Sequence, residues 1–210
     1  MTLTCVLVAA GLAAPQGSSQ HVYGFDADRP GVPPRSFTLA AMRQADPGHW
    51  FVQRVDTGGV LVHRADAAHS GYALAIADAH DGGDVVVTAR VRLAGGSRTG
   101  GLVWRYVDDN HYYSLILDLD RQRMSMYRVS DGNRVRIADD DGLELDVGAW
   151  HSLKVVHAGA RIRAAIGGIR VFEDDDRRNA RASTGRAGVI AGGDAEVWFD
   201  DVRVGEAVRR

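Results

Sequence analysis

Cysteine is all but absent: Cys5 stands alone in 210 residues. No disulfide can form within one chain, and no cysteine-built zinc site can assemble. Lysine is as scarce, with Lys154 the single example among 25 basic residues. Glutamate occurs only at Glu144, Glu173, Glu196 and Glu206. The acids are therefore mostly Asp, which suits turns and strand ends better than helix interiors. An excess of one charge sign is also missing. The formal net charge is −2 with both signs interspersed, which excludes the basic footprint of a nucleic-acid binder. No apolar run is long enough to cross a bilayer, so no membrane span is expected. The chain holds no Gly-x-Ser-x-Gly elbow, no His-Glu-x-x-His pair and no Gly-rich phosphate loop opening a helix.

What is present points to strands. The length fits one domain, and 25 glycines accompany Val-rich runs. Residues 1–20 read as a leader and 21–206 as the domain. Met1 to Ala14 is a short apolar run followed by Pro15, the pattern of a signal-peptide core with small residues at Gly11, Ala13 and Ala14 for cleavage. It lacks a basic start. A periplasmic or secreted location follows from that leader.

Alternation then repeats along the chain. Trp50 to Val55 and Val60 to His63 flank the turn Asp56-Thr57-Gly58-Gly59, a hairpin pattern. In Asp84 to Leu93, residues Val85, Val87, Ala89, Val91 and Leu93 share one face, while Val86, Thr88, Arg90 and Arg92 take the other. Gly100 to Val129 reads as three antiparallel strands, with Leu102, Trp104, Tyr113, Leu115 and Leu117 core-facing. Gly167-Gly168 closes a two-residue hairpin; its pairing puts Ile162, Ala164, Ile166, Ile169 and Val171 on one face and Phe172 opposite Arg163. Val197 and Phe199 have odd parity but Val202 and Val204 even, so a β-bulge is expected near Asp200-Asp201. About a dozen short strands and at most one helical turn make an all-β sandwich or barrel.

Three blocks carry a resemblance: GGLVWRYVDDNHYYSLILDL, GAWHSLKVVHAGARIRAAIGGIRVFEDDD and TGRAGVIAGGDAEVWFDDVRV. In this order the chain resembles concanavalin A-like jelly rolls, in the style of laminin-G-like and 3-keto-disaccharide hydrolase-like domains, from about Tyr23 to Val204. The resemblance implies a jelly-roll sandwich of two curved antiparallel sheets whose concave face receives a glycan. One departure stands out. Ser97-Arg98-Thr99-Gly100-Gly101 replaces the Asn-Ser-Gly segment usual in the hydrolase-like domains.

The candidate site is positional. Arg105 and Tyr112 share the outward parity of adjacent strands, Ser114 continues their row, and Arg90 joins it from the preceding strand. An aromatic platform for sugar C–H faces beside forked donors for hydroxyls is what saccharide binding needs. The expected function is an exported saccharide-binding domain. The alternatives are hydrolysis of 3-keto-disaccharides or related glycans, and an adhesion or accessory domain with a protein partner. No catalytic residue is assigned. Glu144-Leu145-Asp146 begins a glycosidase-like pattern, but Ala149 stands where its second carboxylate belongs. Asp118 and Asp120 form a candidate carboxylate pair at a strand end. Eight histidines show no metal-ligand spacing. No cofactor is required, and calcium is the structural ion that oxygen ligands at Asp26 and Asp201 would suit.

Overall fold

The computed structural model describes residues 20–44, 46–64, 71–79, 81–95, 98–176, 184–192 and 195–208. Residues 1–19 of the expected leader, together with His69, His80 and Ser97, lie outside them, while Gln20, the leader's expected last residue, opens the first strand. The described residues form β1 (Gln20–Tyr23), β2 (Phe37–Ala41), β3 (His49–Val55), β4 (Gly58–Arg64), β5 (Tyr72–Ala77), β6 (Val85–Gly95), β7 (Thr99–Asp108), β8 (His111–Asp118), β9 (Arg123–Ser130), β10 (Asn133–Asp140), β11 (Trp150–Ala158), β12 (Arg161–Ile166), β13 (Ile169–Asp175), β14 (Arg186–Gly192) and β15 (Glu196–Glu206). A single 3₁₀ turn, Met42–Gln44, follows β2.

These strands make an all-β jelly-roll sandwich of two antiparallel sheets. The larger sheet runs β13-β12-β11-β6-β15-β4-β3, with β1 also paired to β15; the smaller runs β10-β9-β8-β7-β14-β5-β2. The main core lies between them. From the larger sheet it takes Val85, Val87, Val91, Leu93, Leu153 and Val155; from the smaller, Leu102, Trp104, Leu115, Leu117, Met124 and Met126. Period-two alternation explains this selection, since successive strand side chains leave opposite faces. Each fully buried Leu or Val contributes roughly 1.5–3 kcal/mol relative to exposure.

Three irregularities break the alternation. In β15 the ladder to β6 slips between Asp200 and Arg203, with Asp201 at φ 49°, so the bulge read from the parity switch is present. In β13 a slip facing Ala164–Ala165 pairs Phe172 with Ala164. That overturns the expectation at two positions, since Phe172 is in the core and Ile169 is 73% exposed, while Ile162 and Ala164 are in the core and Ile166 and Val171 pack against it. In β7 the pairing with β8 runs to Trp104↔Tyr113 and resumes only at Asp108↔His111. Arg105 sits in that gap at φ 48°, a conformation uncommon outside glycine.

Candidate functional site

The smaller sheet is apolar on both faces. Its face away from the main core carries a second cluster built on Leu74, Ile76, Val103, Ile116 and Ile190, each almost fully buried. These residues have the opposite parity to Ala73, Ala75, Leu102, Leu115 and Val189, which face the core. Tyrosines cover the cluster. Tyr106 and Tyr112 sit on it with ring centroids 6.2 Å apart, and Tyr72 and Tyr127 pack at its margin, partly exposed. The Arg134 guanidinium lies 3.4 Å from the Tyr127 ring centroid and 4.4 Å from that of Tyr72. Its Nη1 donates to the Tyr72 hydroxyl at 2.9 Å.

That last contact measures the curvature. β10 and β5 stand five ladder steps apart, about 24 Å along a flat sheet. Arg134 and Tyr72 meet only because the sheet curls into a trough. A strap reinforces the curl: Arg43, in the 3₁₀ turn, donates through Nε and Nη2 to the Gly132 carbonyl at 3.2 and 3.1 Å. Small floor residues permit the close packing. A Cβ on Gly188 would collide with the Ala75 carbonyl, and one on Gly101 with that of Leu115. Charged groups ring the trough. Arg186 donates to Thr38 and Asp78 at 3.1 and 3.2 Å, and Tyr106 donates to Asp109 at 2.6 Å. Burial first, then that carboxylate, pushes the Tyr106 hydroxyl pKa well up.

The expected site residues divide. Tyr112 does lie on the trough face, but at 2% exposure it is part of the floor, and burial raises its pKa. Ser114 shares that face, paired with Val103 and Tyr127, and is equally buried. Arg105 is a correction. The bulge carries its side chain out of the trough to the sandwich end, where it is 1% exposed. There Nε donates to the Gly83 carbonyl at 2.6 Å and Nη2 to that of Gly159 at 3.1 Å. Asp84 Oδ1 is 4.0 Å away and accepts from Gly159 N–H. Arg105 therefore ties β7 to connections of the larger sheet. After the bulge the parity reverses, so Tyr106, not Arg105, stands beside Tyr112.

Arg90 is a second correction. β6 and β7 are consecutive but belong to different sheets, so Arg90 faces outward from the larger sheet and never meets Tyr112. Sequence reasoning missed Tyr72, Tyr106, Tyr127 and Arg134. Tyr127 was within reach, since Ser125, Tyr127 and Val129 share one parity of β9. Arg134 offered no signal, because β10 is too polar to show alternation.

The carboxylates expected to do chemistry are engaged individually. Asp118 accepts from Arg121 N–H at 3.0 Å and Nη1 at 2.7 Å, while Asp120 pairs with Arg98. Asp26, proposed for calcium, accepts from Gly59 N–H at 2.7 Å. Asp201 lies 3.7 Å from both Arg90 Nη1 and Arg203 Nη2. Asp200, beside it, has its carboxyl pKa raised by burial, an effect that the Asp201 N–H bond opposes and the Asp201 and Asp26 charges reinforce. Among the described residues no three His, Cys, Asp or Glu side chains converge on a metal position.

No protein-family model and no curated protein matches the chain. Solved structures do. The carbohydrate binding module CBM66 from Bacillus subtilis superposes with TM-score 0.65 at 18% identity, covering 81% of this chain and 96% of that one. Domain 4 of AbnA, an extracellular arabinanase from Geobacillus stearothermophilus in complex with arabinotriose, gives 0.62 at 13%, covering 89% and 91%. A Bacillus subtilis protein of unknown function with a galectin-like fold gives 0.61 at 12%, covering 84% and 91%. At these identities the likeness is one of fold.

Proposed function

We propose that the chain is an exported saccharide-binding domain, and that the sugar docks at the mouth of the trough on Tyr127, Arg134 and Tyr72. The Tyr127–Arg134–Tyr72 stack carries this reading. It offers flat, partly exposed ring faces for sugar C–H groups. Arg134 supplies forked donors between them, already held by two rings and one hydrogen bond, so little side-chain freedom is lost on binding. Its Nη2 is shielded from solvent and has no hydrogen-bond acceptor among the described residues.

The fold likeness to a carbohydrate binding module and to an arabinotriose-bound domain supports the same reading. The leader pattern and the extracellular arabinanase support export. Binding is favoured over turnover because Asp118 and Asp120 are each neutralised by an arginine. The test is titration with arabinotriose and a panel of neutral oligosaccharides. Tyr127→Ala and Arg134→Ala should each weaken binding about tenfold or more, the scale of one lost charge-assisted or stacking contact. Far-UV circular dichroism should stay unchanged. Equal affinity in wild type and both variants would remove the site from the trough.

A further inference from the structure

We propose a second binding site, on the opposite face of the sandwich, for a saccharide bearing anionic groups. It occupies an open groove of about 550 Å³ on the outer face of the larger sheet, and it does not depend on the trough reading.

The groove follows from the outward residues of β6 and β11 and from the β15 bulge. In the ladder Ser152 pairs with Arg90 and Lys154 with Thr88, so cations and hydroxyls alternate across its floor. The bulge at Asp200–Arg203 delays the return of β15, and pairing resumes at Arg203↔Thr88. That shift raises Asp201 and Arg203 as one wall. Across the floor, Ala165 stands opposite Lys154, and Gly168 lies beyond it, so this side stays low and open. Leu153 and Ala89 also contribute to the lining but point their side chains into the core.

Charge selects the ligand. Arg90, Lys154 and Arg203 line the groove against one lining carboxylate, Asp201, which is shared between Arg90 and Arg203. Lys154 is exposed and has no carboxylate within ion-pair distance among the described residues. Arg90 is held in place, its guanidinium 4.8 Å from the Trp150 ring centroid and 3.3 Å from Asp200. A fixed guanidinium and a free ammonium, separated by Ser152 and Thr88 hydroxyls, match an anionic group flanked by sugar hydroxyls. The volume suits a short oligosaccharide. An added peptide strand is disfavoured, because the groove lies on a sheet face and offers no unpaired edge.

Carboxylate and sulfate share this chemistry, so the titration uses polygalacturonate, dextran sulfate and neutral dextran on the full chain. Binding of at least one polyanion, weakening with salt, is expected, with neutral dextran inert. Lys154→Ala and Arg203→Ala each alter an exposed side chain and should reduce polyanion affinity about tenfold. Tyr127→Ala should leave it unchanged. Because Lys154 is the only lysine, an amine-directed reagent should modify it, and the bound polyanion should protect it. The proposal is overturned by absence of polyanion binding, by affinity unchanged in the Lys154/Arg203 double variant, or by loss in Tyr127→Ala instead. The polyanion that competes the other away identifies carboxylate or sulfate as the preferred group.

Discussion

Arg105 holds more structure than its position in a strand suggests. Its guanidinium satisfies two backbone carbonyls and neighbours Asp84 at the end of the sandwich, with almost no solvent to replace it. Arg105→Ala leaves those acceptors buried, so the expected loss is about 3–5 kcal/mol of unfolding free energy. Arg105→Lys should recover only part, since an ammonium cannot fork between Gly83 and Gly159. Urea unfolding at neutral pH measures both, and a loss under about 1 kcal/mol would refute the role. Nothing in the neighbourhood of Arg105 betrays this role in the sequence. Arginine has no preference for positive φ, and the rule that strand side chains alternate assigns it to the wrong face. The same rule places Tyr112 and Ser114 on the face where they lie. Whether that face was open depended on Arg134, which sits far along the chain.

At the scale of elements, alternation exposes a bulge only where the two faces differ in polarity. In β15 the apolar residues change parity across Asp200-Asp201, so the irregularity could be read. In β7 both faces are apolar, with Val103 buried on one side and Trp104 on the other, and a slip leaves no trace. β13 fails similarly: Ile169, Val171 and Phe172 offer two self-consistent registers, and tertiary packing chooses Phe172. The glycines provide a test of the ladder. Gly188→Ala pushes a methyl against the backbone of β5 and should cost about 1–3 kcal/mol or more, as overpacking does. Gly167→Ala meets no atom, but its φ of 57° is unfavourable for alanine, so about 1 kcal/mol is expected. Thermal unfolding should therefore rank Gly188→Ala below Gly167→Ala; the reverse order would contradict the observed packing of β14 on β5.

For the whole molecule, the sandwich class was legible because many strands alternate in concert. The assignment of successive strands to sheets was not, since a short connection can stay within a sheet or cross to its partner. The crossing from β6 to β7 separates Arg90 from the trough and brings His157 and Trp104 face to face. His157, on β11, is fully buried and its Nδ1 accepts from Trp104 Nε1 at 3.0 Å, a hydrogen bond between the two sheets. Tyr113 packs edge-on at 5.2 Å. Burial, and then the Arg105 charge, lower the His157 pKa to about 3, so the folded chain carries this imidazole neutral. The unfolded chain regains the ordinary value near 6.5. Between those values the unfolded state binds the extra proton, so stability rises with pH and falls on acidification. His157 alone should contribute a slope approaching 1.4 kcal/mol per pH unit from about pH 6 down to pH 3, and none above pH 7. A protonated His157 can no longer accept from Trp104, so the same titration loosens the join between sheets. Urea midpoints from pH 7.5 to pH 4 should fall more steeply for wild type than for His157→Gln, which has no proton to gain. Parallel profiles would mean that the imidazole is not kept neutral by the fold.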